Sequence, residues 1–178
     1  AYVADEANGL EILDVSDPAH PQRLGGIDTP GHAVGVQVVG DLACVADWWS
    51  GLQIINVANP ATPSLVGHLD LPGLARTLEV HGSLVYVADG EAGMAIIDVS
   101  VPSAPTLVHL LDTAGDAQDV TVVGGRAYIA TGPAGLWVVD VSNPAVLTVI
   151  GQYDTDNAYT IQVIGNVAYL GDAWAGLR

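Results

Sequence analysis

The sequence contains no lysine. Its cations are four arginines, Arg23, Arg76, Arg126 and Arg178, against 20 acidic residues, for a formal net charge of −16. A nucleic-acid interface needs cationic side chains that displace phosphate counterions, so nucleic acid is nearly excluded as a partner. Docking on anionic lipid through basic residues is disfavoured for the same reason. The single cysteine, Cys44, rules out an internal disulfide and leaves the redox compartment open. No run of about 18 apolar residues occurs, so direct membrane insertion by a helix is not expected within this chain. A sustained 3.6-residue apolar period with caps is missing too, which leaves almost no room for helix.

What the chain does have is apolar residues. They make up 50% of its 178 positions, and charged residues only 13%, so it can bury a core and disorder is not expected. The length suits one sizeable domain. Self-comparison then shows a repeat. Ala1-Tyr2-Val3-Ala4-Asp5 matches Ala43-Cys44-Val45-Ala46-Asp47 after a shift of 42 residues. Val85-Tyr86-Val87-Ala88-Asp89 and Ala127-Tyr128-Ile129-Ala130-Thr131 follow at the same period, and Ala168-Tyr169-Leu170-Gly171-Asp172 arrives after 41. Gly9, Gly51, Gly93, Gly135 and Gly176 form one column, Pro18, Pro60, Pro102 and Pro144 a second, and Asp28, Asp70, Asp112 and Asp154 a third.

Each repeat holds four short β-type runs, in the second copy Ala33–Val39, Leu42–Ala46, Gly51–Val57 and Ser64–Leu69, punctuated by Gly, Pro, Asp and Asn. Four strands in about 40–45 residues is the signature of a β-propeller blade. The strands are apolar on both faces, Leu52 and Ile54 against Ile55 and Val57, as a blade held between two neighbours requires. A flat β-solenoid is the rival, with coils that are shorter and less hairpin-like. The fold class read from these runs is all-β, with blades of four antiparallel strands and innermost strands near Ala33, Ala75, Ala117 and Ala158.

Gly51-Leu52-Gln53-Ile54-Ile55-Asn56-Val57 and Gly135-Leu136-Trp137-Val138-Val139-Asp140-Val141-Ser142 resemble the LVIVD repeat. The resemblance runs the length of the chain. It implies a β-propeller and a place in a bacterial or archaeal surface protein, hence an extracellular or cell-surface location. It implies no common catalytic site. Asn56 departs from the motif Asp, and Thr131 from the Asp that ends the preceding strand in the other copies. Residues 1–178 read as a single propeller domain that is incomplete. Three full blades cover about 33–69, 75–112 and 117–154, with partial blades at 1–29 and 158–178. An open arc from a larger propeller is expected over a four-bladed ring closed between Ala1–Asp5 and Ala158–Ile164. In that arc Val3, Leu10, Ile12 and Leu13 at one end, and Ile161, Val163 and Leu170 at the other, should be partly uncovered.

Strand direction places Asp5, Asp47, Asp89 and Asp172 on one rim together with Asp28, Asp70, Asp112 and Asp154. It places Asp14, Asp98 and Asp140, each before Val-Ser-x-Pro or its variant, on the other face as turn formers. Clustered carboxylates suit a hard cation, and Asp112, Asp116 and Asp119 are the metal candidates, for Ca²⁺. The reading set against it is that each repeated Asp caps its own turn by an Asx hydrogen bond, since no segment has calcium-loop spacing. No other cofactor is expected. Trp48, Trp49 and Trp174 occupy one short loop in two blades, and indoles in an exposed loop match what binding surfaces use. With Asp47 and Asp89 they are the rim binding candidates, the alternative being that the rings lie flat and lid the core. Trp137 starts a strand and reads as core. His20, His32, His68, His81 and His109 share no column and show no zinc spacing. No Gly-x-Ser-x-Gly elbow or P-loop occurs, and Cys44 stands where other copies have Tyr, as a buried filler. The residues favour a non-enzymatic module presenting an acidic, Trp-bearing rim to a protein or glycan. A structural spacer, and a fragment of a catalytic propeller whose active site lies in other blades, stay open.

Overall fold

The computed structural model describes residues 1–173 and 176–178, and every described element is a β-strand. Sheet I holds β1 (Tyr2–Ala4), β2 (Leu10–Asp14) and β3 (Gln22–Ile27). Sheet II holds β4 (Gly35–Val39), β5 (Leu42–Ala46), β6 (Leu52–Asn56) and β7 (Ser64–Leu69). Sheet III holds β8 (Thr77–His81), β9 (Leu84–Ala88), β10 (Met94–Asp98) and β11 (Thr106–Leu111). Sheet IV holds β12 (Asp119–Val123), β13 (Arg126–Ala130), β14 (Leu136–Asp140) and β15 (Thr148–Tyr153). Sheet V holds β16 (Ala158–Ile164), β17 (Val167–Asp172) and β18 (Gly176–Leu177). Within each sheet the strands lie in chain order, and every pairing is antiparallel. The two-residue turn from inner to second strand opens on Gly40, Gly82, Gly124 or Gly165, all with φ near +60°, a conformation a Cβ disfavours.

The cores are the seams between sheets. Alternation sends successive side chains of one strand to opposite faces. Ile54 and Leu52 therefore enter the core between sheets II and III, while Ile55 and Val57 enter the core between sheets I and II. Met94 and Ile96 likewise face sheet IV, and Ala95 and Ile97 face sheet II. Each fully buried Ile or Leu contributes roughly 1.5–3 kcal/mol.

Successive sheets are stitched at their inner ends. Glu6, Trp48, Gly90 and Gly132 pair with Ala33, Ala75, Ala117 and Ala158, the residues that lead into the next inner strand. Each Ala is fully buried in the seam. Deeper in, a side chain on one inner strand caps a backbone N–H of the next. Val80 donates to Gln37 Oε1 at 2.6 Å, Val122 to Glu79 Oε2 at 2.8 Å, and Ile161 to Asp119 Oδ2 at 2.9 Å. These N–H groups lie on the free edge of a sheet and would otherwise be left without a partner.

The arc is open. Among the described residues no pairing joins β1 to β16; β1 pairs with β2, and β16 with β17 and, through Ala158, with Gly132. The uncovered end faces differ in detail from expectation. Leu10, Ile12, Ile161 and Leu170 are buried, because they point inward to sheets II and IV. The outer faces are formed by alternate positions, with Val3, Val167 and Tyr169 exposed and Leu13 half-buried. Among the described residues no helix is long and apolar enough to cross a membrane.

Candidate binding rim

Strand register fixes the two faces. Met94 lies opposite Leu111 at one end of β10 and Asp98 opposite Thr106 at the other, so Asp89 and Asp112 share one rim and Asp98 belongs to the opposite face. On that opposite face Asp14, Asp98 and Asp140 accept from the backbone N–H of Ser16, Ser100 and Ser142 at 2.9, 2.7 and 2.9 Å. These are the expected Asx turns. The Ser backbone contact is the main cause that lowers the Asp14 and Asp98 carboxyls, and the Ser142 hydroxyl contact the main cause at Asp140.

The repeated Asp of the first rim acts differently. Asp47 and Asp89 are fully buried and Asp172 nearly so; they lie beneath the rim rather than on it. Their carboxylates do not cap their own turns. They reach back 15 to 18 residues to the loop that enters the same blade. Thr29 Oγ1 donates to Asp47 Oδ1 at 2.6 Å and Gly31 N to Oδ2 at 2.9 Å. Gly73 N donates to Asp89 Oδ2 at 3.0 Å, and Asn157 N to Asp172 Oδ1 at 3.0 Å. The reason is geometric. The loop joining blades folds directly over the end of the second strand, and its N–H groups have no strand partner. Burial raises the Asp47 carboxyl, opposed by Thr29 and Gly31, and lifts Asp89 to about 6, opposed by Gly73 alone. Asp89 Oδ1 has no partner.

The three metal candidates are not brought together. Asp112 is exposed, Asp116 is engaged by Arg76, and Asp119 accepts from Ile161 N and Val120 N. Among the described residues no three His, Cys, Asp or Glu side chains are grouped to hold an ion. Burial raises the Asp119 carboxyl, which the Ile161 contact opposes.

The Trp pair is on the rim. Trp49 is 53% exposed and Trp48 half-buried. His32 stands beside both, its ring centroid 4.5 Å from Trp49 in a tilted arrangement and 5.8 Å from Trp48 edge-on. Trp48 adopts φ +46° at a position where the next two repeats have Gly90 and Gly132 at φ +60° and +58°. A bulky residue there costs roughly 1–2 kcal/mol. Trp174 lies outside the described residues. Trp137 is half-buried and packs on the core between sheets III and IV. Cys44 is buried, which pushes its thiol up to about 11 and keeps it protonated.

A small pocket of about 160 Å³ opens beside Trp48. Its other walls are Val34, Arg76, Gln118 and Tyr159. These four occupy one position in successive repeats, the residue after each buried seam Ala, so the fold gathers them where the inner strands converge. Arg76 donates through Nε and Nη2 to Asp116 at 3.2 and 2.8 Å, and Gln118 Nε2 donates to Asp116 at 2.8 Å. Beside it lie two wider grooves of about 450 and 380 Å³, divided by Glu91 and Asp116.

Sequence reasoning did not single out His32, Arg76, Gln118 or Tyr159 as site residues. A signal existed. The column directly after the invariant seam Ala reads Val, Arg, Gln, Tyr. A position that the repeat does not constrain, on a converging rim, is where a site is free to differ from blade to blade.

The LVIVD repeat model matches residues 1–29, 30–70, 72–113, 114–155 and 157–178. The chain belongs to the LVIVD repeat family. Its repeats are therefore the blades described above. No curated protein matches it in sequence. Among solved structures, the computationally designed Ika4 protein superposes with a TM-score of 0.70 at 8% identity, over 84% of this chain and 91% of that one. The computationally designed Ika8 protein gives 0.78 at 7% identity, over 99% of this chain and 54% of that one. A functionally unknown protein from Desulfotomaculum acetoxidans DSM 771 gives 0.73 at 13% identity, over 95% and 58%. The LVIVD chain thus spans just over half the length of the latter two. At these identities the likeness concerns the fold alone.

Proposed function

We propose that this LVIVD chain is a non-enzymatic binding module of an exported or cell-surface protein, and that its acidic, Trp-bearing rim engages a protein or glycan. The observation that carries the reading is the cluster of Trp48, Trp49 and His32, with an indole more than half exposed. The matching loops in three other repeats carry Glu6-Ala7, Gly90-Glu91 and Gly132-Pro133, so the blade does not need these rings to fold. Indole faces supply large contact area at low entropy cost, which is why they dominate binding hot spots. Cys44, the chain's one thiol, is held protonated in a core, in keeping with recognition rather than covalent chemistry. The extracellular part of the proposal rests on the family resemblance.

The test is an arrayed panel of glycans and peptides probed with the wild-type chain and Trp49→Ala. A partner bound by the wild type and lost in the variant, with an unchanged melting temperature, supports the rim. Equal binding by both, or none by either, overturns it. Labelling of the protein by antibody on intact source cells is the expected outcome for the location, and labelling only after lysis overturns that part.

A further inference from the structure

We propose that the pocket of Val34, Trp48, Arg76, Gln118 and Tyr159 holds one neutral pyranose ring of a glycan. The proposal rests on the binding-rim reading and names the chemistry of its ligand.

Charge decides the class. A cation would need a free carboxylate in the wall; among the described residues none lines the pocket, and Asp116 beside it is taken up by Arg76 and Gln118. An anion fares no better. The Arg76 charge is already balanced by Asp116 through two hydrogen bonds, with Glu91 next along the rim and a net charge of −16 behind them. With a free counter-charge for neither sign, the pocket suits a neutral guest.

Shape and valence then select a polyhydroxyl ring. Asp116 fixes Arg76 and Gln118 side by side, and neither is exhausted by the contact. Arg76 still has Nη1 as a donor, and Gln118 keeps Oε1 as an acceptor. A hydroxyl both accepts and donates, so adjacent hydroxyls of a sugar match this donor–acceptor pair. The rest of the lining is aromatic and apolar: Trp48, Tyr159, which is 48% exposed, and Val34. The C–H face of a pyranose is apolar and flat enough to lie on them. The volume of about 160 Å³ is well below the roughly 300–1,000 Å³ of sites that enclose a drug-sized molecule, so one ring enters and the rest of the chain lies along the rim. The φ of +46° at Trp48 is consistent with this use, because the backbone holds an indole where the next two repeats have glycine.

The experiment is calorimetric titration of the purified 178-residue chain with cellotetraose, mannotetraose and chitotetraose, and with tetragalacturonate as the anionic counterpart. At least one neutral tetrasaccharide binds, and tetragalacturonate binds at least about tenfold more weakly. Tyr159→Ala, at an exposed side chain, and Gln118→Ala, at a half-buried one that leaves the Arg76–Asp116 pair in place, each weaken the neutral sugar by about tenfold with the fold retained by circular dichroism. Trp49→Ala, outside the pocket, removes the contact along the rim and also weakens the tetrasaccharide, as the rim reading requires. The proposal is overturned if no neutral sugar binds, if tetragalacturonate binds as tightly, or if the Gln118 and Tyr159 variants bind like wild type. Sugar binding lost in Trp49→Ala but kept in Gln118→Ala and Tyr159→Ala overturns the pocket and leaves the rim reading standing.

Discussion

Asp47 and Asp89 occupy the same position in successive blades, both are sealed from solvent, and both take an N–H from the glycine two residues past the loop's start, Gly31 or Gly73. Among the hydrogen-bond donors around them, one residue makes the difference. The loop opens with Thr29 in one blade and Leu71 in the other, so Asp47 gains a hydroxyl donor and Asp89 keeps an orphan oxygen. At Asp47 two donors oppose the cost of burial; at Asp89 there is one, and the carboxyl is lifted to about 6. The fold is the same and the electrostatics are not. A repeat fixes where a group sits, whereas its charge state depends on a neighbour outside the repeated column.

The comparison is broken most severely through the loop glycines. A Cβ at Gly31 or Gly73 collides with the carbonyl oxygen of Asp47 or Asp89. Gly31→Ala and Gly73→Ala should each cost about 3 kcal/mol, read as a shift in the urea midpoint at constant slope. If both are tolerated, the loop does not sit as tightly on the strand end as described.

Removing the carboxylates comes next. Asp47→Ala strands the Thr29 hydroxyl and the Gly31 N–H and should cost about 2–3 kcal/mol at pH 7. Asp89→Asn abolishes a poorly compensated charge and should cost less than about 1 kcal/mol. Equal losses in the two variants would show that Thr29 makes no difference.

The pH dependence sharpens the contrast further. The folded chain binds the Asp89 proton more tightly than the unfolded chain, whose value is the ordinary 3.8. The native state is therefore favoured most below about pH 4, and this contribution is lost as the pH rises to about 6. Asp47 and Asp119, also raised, act in the same direction, and Asp14, Asp98 and Asp140, lowered, act below 3.8 in the opposite one. Urea midpoints should fall between pH 4 and 6, and Asp89→Asn should flatten that slope. The smallest effect is expected from Leu71→Thr, which offers Asp89 the missing hydroxyl. Its carboxyl, followed by NMR, should titrate lower than in the wild type, and an unchanged titration would show that the hydroxyl cannot reach.

Much of this was legible in the sequence. The runs Leu42–Ala46 and Ser64–Leu69 are β5 and β7 to the residue, because apolar stretches between Gly, Pro and Asp leave little freedom in where a strand ends. The facing of Ile54 and Ile55 into different cores followed from alternation. The role of Asp47 was not legible, since its partners lie 16 and 18 residues upstream and meet it only once the loop folds over the blade. Arg76 was visible only as a charge, since its partner Asp116 is 40 residues away in the next repeat. The contact exists because neighbouring blades converge, a fact of the arc rather than of the motif.

The caps between inner strands give the arc a direction. In each of them the acceptor side chain, on Gln37, Glu79 or Asp119, belongs to the earlier blade and the N–H to the later one. A blade leaving the ribosome thus meets a neighbour already equipped to receive its inner edge. The chain can assemble as a staircase laid one step at a time, each finished blade offering side-chain acceptors to the inner strand of the next.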